Sequence, residues 1–207
     1  MYRVVCISGT EGAGAAAVSE IVADRLGFLL IDEGIIYRAA REAGLEPHVV
    51  AEAELRKSFL KRLVLELRSG SGIAADAGAL MTLASGEIPE DDLRGLIRSA
   101  IEETAAGGDV VIASHAASVA LAGRDDTLRV LVTASPDTRR DRLAAARGLT
   151  AKEAAKEVAR SDARRADYLR RFYGVDDEQP TLYDVVLSSD RLAPEAVAEV
   201  VVELATS

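Results

Sequence analysis

Gly9-Thr10-Glu11-Gly12-Ala13-Gly14 is the stretch of the chain whose residue types and spacing point most directly to chemistry. Before it, Arg3 to Ser8 is a short apolar run rich in β-branched residues, which predicts a buried strand. After it, Val18, Ile21, Val22 and Leu26 fall on one helical face and Gly27 stops the helix. A glycine turn between strand and helix leaves the first helical N–H groups without partners, and the helix dipole favours an anion there. Two registers fit this turn. Gly12-Ala13-Gly14-Ala15-Ala16-Ala17 follows the dinucleotide pattern G-x-G-x-x-G/A, with Asp32 closing the next apolar run where a ribose-binding acid would sit. Alternatively, Gly9 and Gly14 are the two glycines that open a phosphate-binding P-loop, and Ala15 stands at its lysine position. A helix-packing turn without a ligand is the third reading.

A second feature lies far along the chain. Residues 139–171 hold eleven basic and five acidic residues, although the whole chain carries a formal charge of −9. A cationic block in an acidic protein suggests a small anionic ligand handled at one place. The plainer reading is a surface helix, since Lys152, Glu153, Lys156 and Glu157 have the spacing of solvated helical pairs. The overall acidity argues against nucleic acid as a partner, because a phosphate-backbone binder needs surplus cations. The solitary Cys6 leaves no internal disulfide and fits a reducing cytoplasm. No run approaches the roughly 20 apolar residues that span a bilayer, so no membrane partner is expected.

The elements that must position these residues read as an α/β domain. Phe28 to Ile31, Asp109 to Ala113, Leu128 to Thr133 and Asp184 to Leu187 are further strand-like runs. Strand, glycine turn, helix, strand is a βαβ unit and implies a parallel sheet, here of about five strands. Ser135-Pro136-Asp137 starts a helix with its capping residue and early proline in order, and a last helix follows Pro194. Residues from about 35 to 106 read as a mainly helical insert, interrupted at Ser69-Gly70-Ser71-Gly72. The expectation is one domain over 1–207.

From Asp32 onward the chain resembles the cytidylate kinase-like family. Leu30-Ile31-Asp32-Glu33-Gly34-Ile35-Ile36-Tyr37-Arg38 is similar to the family's L-D-[ST]-G-x-x-Y-R segment. Asp162-Ala163-Arg164-Arg165-Ala166-Asp167-Tyr168 through Phe172-Tyr173-Gly174 resembles its D-x-x-R-x-x-Y-x-x-x-F-Y-G stretch. Leu182-Tyr183-Asp184-Val185-Val186 resembles its L-Y-D-x-V-x strand. The resemblance implies a P-loop nucleoside monophosphate kinase-like fold with an acceptor-binding helical insert and an arginine-rich lid at about 140–175. It implies a small-molecule nucleotide as partner, with ATP and Mg²⁺ serving transfer of a phosphoryl group to a monophosphate such as CMP. On this chain it implies Gly9, Gly12, Gly14, Asp32, Arg38 and His115 as nucleotide-binding positions. Arg38 would hold the acceptor phosphate. Arg147 and Arg165 would be lid cations over the transferred group, with Asp162 orienting a neighbouring arginine.

Several positions depart from the family pattern. Ala15-Ala16-Ala17 replace the lysine for the β/γ-phosphates and the hydroxyl for Mg²⁺. Glu11 adds a carboxylate inside the loop, and Glu33 fills a small-hydroxyl position. Ser114-His115-Ala116 stands where the family carries Gly-Arg-Gly or Gly-Arg-Asp, exchanging a permanent cation for an imidazole. Losing one preorganised cation or donor commonly costs orders of magnitude in rate. The expectation is a nucleotide binder of compromised transferase activity, or a catalytically silent sensor or partner-binding protein that keeps the fold.

Overall fold

The computed structural model describes residues 1–32, 101–102, 104–114 and 117–207. The chain divides into two compact units, Met1–Ile31 with Asp109–Ser207, and Asp32–Gly108. The expected helical insert falls in the second unit and lies almost wholly outside the described residues.

Five apolar runs form the strands expected of them: β1 Val4–Gly9, β2 Leu29–Asp32, β3 Val110–Ala113, β4 Thr127–Thr133 and β5 Val185–Ser188. They make one sheet in the order β2-β3-β1-β4-β5. β1 pairs in parallel with β3 (Val4 beside Val110) and with β4 (Val4 beside Thr127), and β4 pairs in parallel with β5 (Val130 beside Val185). β1 is therefore the central strand, and Val4, Val5, Cys6 and Ile7 are 1% exposed or less. Burial on that scale contributes about 1.5–3 kcal/mol for each large aliphatic side chain.

α1 Ala15–Leu26 and a C-terminal helix cover one face, where Val18 and Val22 meet Val197 and Val201 over Val5, Ile7 and Val130. The apolar face of α1 is shifted slightly from the expected one. Val18, Ser19, Val22 and Ala23 are buried, while Ile21 and Leu26 pack at its margin. Further helices among the described residues are α2 Ala117–Ala120, α3 Pro136–Arg147, α4 Ala151–Tyr173 and the C-terminal α5 Pro194–Thr206. Ser135 caps α3, accepting from the Thr138 amide, and Thr150 with Glu153 forms a capping box at α4. Leu143, Ala154 and Val158 give the α3–α4 pair a small apolar cluster of its own. Among the described residues no helix is long and apolar enough to cross a membrane.

β4 and β5 are also tied by charge. The Asp184 carboxylate accepts from the Arg129 amide (2.8 Å), Nε (3.1 Å) and Nη2 (2.5 Å). Hydrogen bonding to Arg129 holds the Asp184 carboxyl below the usual aspartate range, against the opposing effect of burial. A carboxyl with a lower pKa folded than unfolded stabilises the fold above its unfolded pKa, and that gain is lost as pH falls through the folded value. Asp184→Asn should accordingly lower Tm at neutral pH by about 2–4 °C, taking about 1 kcal/mol for a partly solvated pair. It should also flatten the fall of Tm below about pH 4, where an unperturbed aspartate titrates. Thermal melts of both proteins across the acid range would decide; parallel Tm curves would refute the coupling.

Candidate functional site

β1 ends at Gly9, with β3 and β2 on one side of it and β4 and β5 on the other. In open α/β sheets ligands collect outside the carboxyl ends of strands at such a switch point. Gly9–Gly14 occupies that position. Gly12 (φ 82°) and Gly14 (φ 86°) take the left-handed backbone that glycine adopts without steric cost. Gly12 has a second reason to lack a side chain, since a Cβ would lie 2.8 Å from the Arg139 carbonyl oxygen.

The carbonyl oxygens of the loop are all engaged. Gly9 O accepts from Arg165 Nη1 (3.4 Å), Glu11 O from Arg139 Nε (2.7 Å) and Gly12 O from Arg142 Nη1 (3.4 Å). Ala13 O accepts from Ser189 Oγ (2.7 Å), and Thr10 O from the Ala13 amide (3.0 Å). The first bond within α1 runs from the Val18 amide to Gly14 O (3.2 Å), and Gly14 provides no side-chain cap. The amides of Ala15, Ala16 and Ala17 therefore have no acceptor within their own helix, the arrangement that receives anions.

Four arginines reach the loop, each held differently. Arg139 is 4% exposed and makes a bidentate pair with Asp162 (3.0 and 2.6 Å). Arg165 is 6% exposed, and its Nε and Nη2 donate to the two carboxylate oxygens of Glu178 (2.7 and 2.5 Å). Tyr183 hydroxyl joins this cluster, accepting from Arg165 and donating to Glu178. Burial acts to lower the Arg165 pKa, but the bond and charge of Glu178 more than offset it and hold it above the ordinary arginine value. Burial, then the bond to Glu178, pushes the Tyr183 phenol up. Arg142 donates to Ser189 Oγ (2.9 Å) and O (2.6 Å), and its charge also reaches the Asp190 carboxylate. Arg147, half-exposed, meets Glu11 Oε1 at 2.5 Å.

The structure thus brings Gly9, Gly12, Gly14, Arg147, Asp162 and Arg165 together around one loop. Asp32 closes β2, while Arg38 and His115 lie outside the described residues. Arg139, Arg142 and Ser189 were not singled out by the sequence as site residues. The available signal was their place just past the carboxyl ends of β4 and β5, the strands beside β1 on that side. A cavity of about 240 Å³ opens between Thr10, Arg139, Asp162, Arg165 and the segment Val175 to Glu178. Thr10 Oγ1 is buried there without a hydrogen-bond partner. The volume is below the roughly 300–1,000 Å³ of complete small-molecule pockets, so it suits part of a ligand.

The strand order weighs against the dinucleotide register, because β3 intervenes between β1 and β2 whereas the dinucleotide order 3-2-1-4-5-6 keeps them adjacent. Among solved structures, an uncharacterized protein from Eubacterium ventriosum aligns over 100% of this chain and 99% of its own, with TM-score 0.68 and 14% identity. Shikimate kinase from Bacteroides thetaiotaomicron aligns over 99% and 98%, with TM-score 0.51 and 18% identity. These likenesses show the fold, a parallel sheet flanked by helices of the P-loop kinase type. In sequence, a cytidylate kinase from Ignicoccus hospitalis is 29% identical over 96% of both chains. One from Pyrococcus horikoshii is 25% identical over 96% of this chain and 85% of its own. The model of the cytidylate kinase-like family matches residues 4–191, and the chain belongs to that family.

Proposed function

We propose that this protein binds the polyphosphate of a nucleoside triphosphate at Gly9–Gly14 and transfers its terminal phosphoryl group to a nucleoside monophosphate such as CMP. The observation that carries the reading is the division of the loop: every carbonyl from Gly9 to Ala13 is bonded, and the α1 amides remain for an anion. Phosphoryl transfer asks mainly for positioning and charge neutralisation, which a preorganised amide nest and nearby guanidinium groups supply. In this reading Arg147 neutralises the terminal phosphate, while Asp162 holds Arg139 so that the loop keeps its shape. Arg165 stands at the lid position that the family resemblance gives it. Arg38 would take the acceptor phosphate bidentately, and His115 and Asp32 would line the acceptor side.

The polyphosphate of ATP fits the amides present; the donor set for a protein-held Mg²⁺ does not. The first turn of α1 offers three alanines in place of a hydroxyl. Mg²⁺ would enter as the counter-ion of the polyphosphate.

A silent nucleotide sensor is the second reading, favoured by the carboxylates that occupy Arg139 and Arg165. ADP release from ATP over a panel of monophosphates, with thermal shifts for ATP, CMP and NAD⁺ with and without Mg²⁺, separates the readings. A transferase stabilises with ATP and releases ADP only with an acceptor; a sensor stabilises without turnover. Stabilisation by neither ATP nor CMP would refute both.

A further inference from the structure

Glu11 brings a carboxylate into the turn, yet that carboxylate is directed to Arg147, at the end of α3, and not to the α1 amides. Both partners are wet, with 51% of the Arg147 side chain and 34% of the Glu11 side chain exposed. Exposed ion pairs are weakly held and screened by salt. The other guanidinium groups on the loop are fixed more firmly: Arg139 and Arg165 are buried in bidentate pairs, and Arg142 is bonded at both Nη atoms. Arg147 is therefore the one of the four that can change partner at little cost.

We propose that Glu11 sets the ligand preference of the loop by occupying Arg147, so that a polyphosphate binds by taking this guanidinium from the carboxylate. The proposal rests on the polyphosphate reading above. No covalent bond changes; Glu11 is released toward solvent as the terminal phosphate accepts from Arg147. A terminal phosphate with about −1.5 to −2 charge and three acceptor oxygens outcompetes a carboxylate of single charge, whereas a monoanion does not. The exchange thereby selects polyphosphates over simple anions.

The test is calorimetric titration of inorganic triphosphate into the wild type, Glu11→Gln, Arg147→Ala and the double variant. Glu11→Gln should tighten binding by about tenfold, from the released pair and the reduced like-charge repulsion. Arg147→Ala should weaken it. With Arg147 gone, the gain from Glu11→Gln should shrink to about twofold, since nothing remains to exchange. Simple repulsion by Glu11 predicts the opposite, an equal or larger gain once Glu11 has lost its counter-ion, and that result would overturn the proposal. So would a Glu11→Gln affinity equal to wild type, with the polyphosphate reading left standing. Failure of all four proteins to bind triphosphate would remove that reading as well. Melting curves of the variants check that each is folded.

Discussion

Glu178→Ala is expected to destabilise the protein by about 3 kcal/mol, a fall in Tm of about 6–12 °C for a chain of this size. The cause is the guanidinium left behind. Arg165 is 6% exposed, and the Glu178 carboxylate accepts from both its Nε and its Nη2. Removing Glu178 takes a bidentate carboxylate from a buried guanidinium, and losing one partner of such a pair costs more than the pair itself contributes. Tyr183 loses its hydrogen-bond acceptor in the same step. The double replacement Arg165→Met with Glu178→Leu should recover part of the loss, because the charge pair is then gone from the interior while the Tyr183 hydroxyl still lacks both partners. Calorimetric melts would show both effects, and a Glu178→Ala protein melting at the wild-type temperature would contradict the counter-ion role. The double variant also reports on function. ADP release that survives in it marks Arg165 as a strut between α4 and the loop, and its loss in a protein that remains folded places Arg165 on the reacting phosphate.

The second large effect concerns affinity. Ala15→Lys with Ala17→Thr should raise ATP affinity by about tenfold or more, because a hydrogen bond to a charged group contributes about 1.5–3 kcal/mol and each ~1.4 kcal/mol is tenfold in affinity. Ala15 directly follows Gly14, where P-loops place the lysine, and Ala17 stands two residues further on, where the family resemblance, with Lys-Gly-Thr after the second glycine, puts the metal-binding hydroxyl. Part of the gain will be masked if the new ammonium pairs with Glu11, so the substitutions are best measured with and without Glu11→Gln. No gain in either background would mean that the glycines follow another register.

The strands and their loop could be read from the sequence because their signals are local. Val4 to Ile7 and Val110 to Ala113 are continuous apolar runs, and such runs declare buried parallel strands whatever surrounds them. Gly12 and Gly14 announce a left-handed turn, and Ser135-Pro136 announces a helix start, within a few residues. Arg139 and Arg142 gave no such signal, and Arg165 was marked only by the family resemblance. All three sit in a stretch with so many charges that it reads equally well as a solvated surface. Their partners Glu11, Gly12 and Gly9 are 128, 130 and 156 residues away. Periodicity cannot separate a guanidinium that is buried from one that is hydrated; only the fold, by folding α3 and α4 back to the end of β1, makes that distinction. Ser189 was silent for the same reason, one more serine until β5 carried it to Ala13.

These distant tethers have a consequence for biosynthesis. The glycine turn is synthesised well before its tether, for its Ala13 carbonyl waits for a serine 176 residues downstream. At about 5–20 residues per second, roughly 9–35 s of translation separate the two. Until then the nascent turn lacks a contact that fixes its form, so a chain terminated before β5 would hold the turn less firmly, and its final shape arrives only as β5 docks.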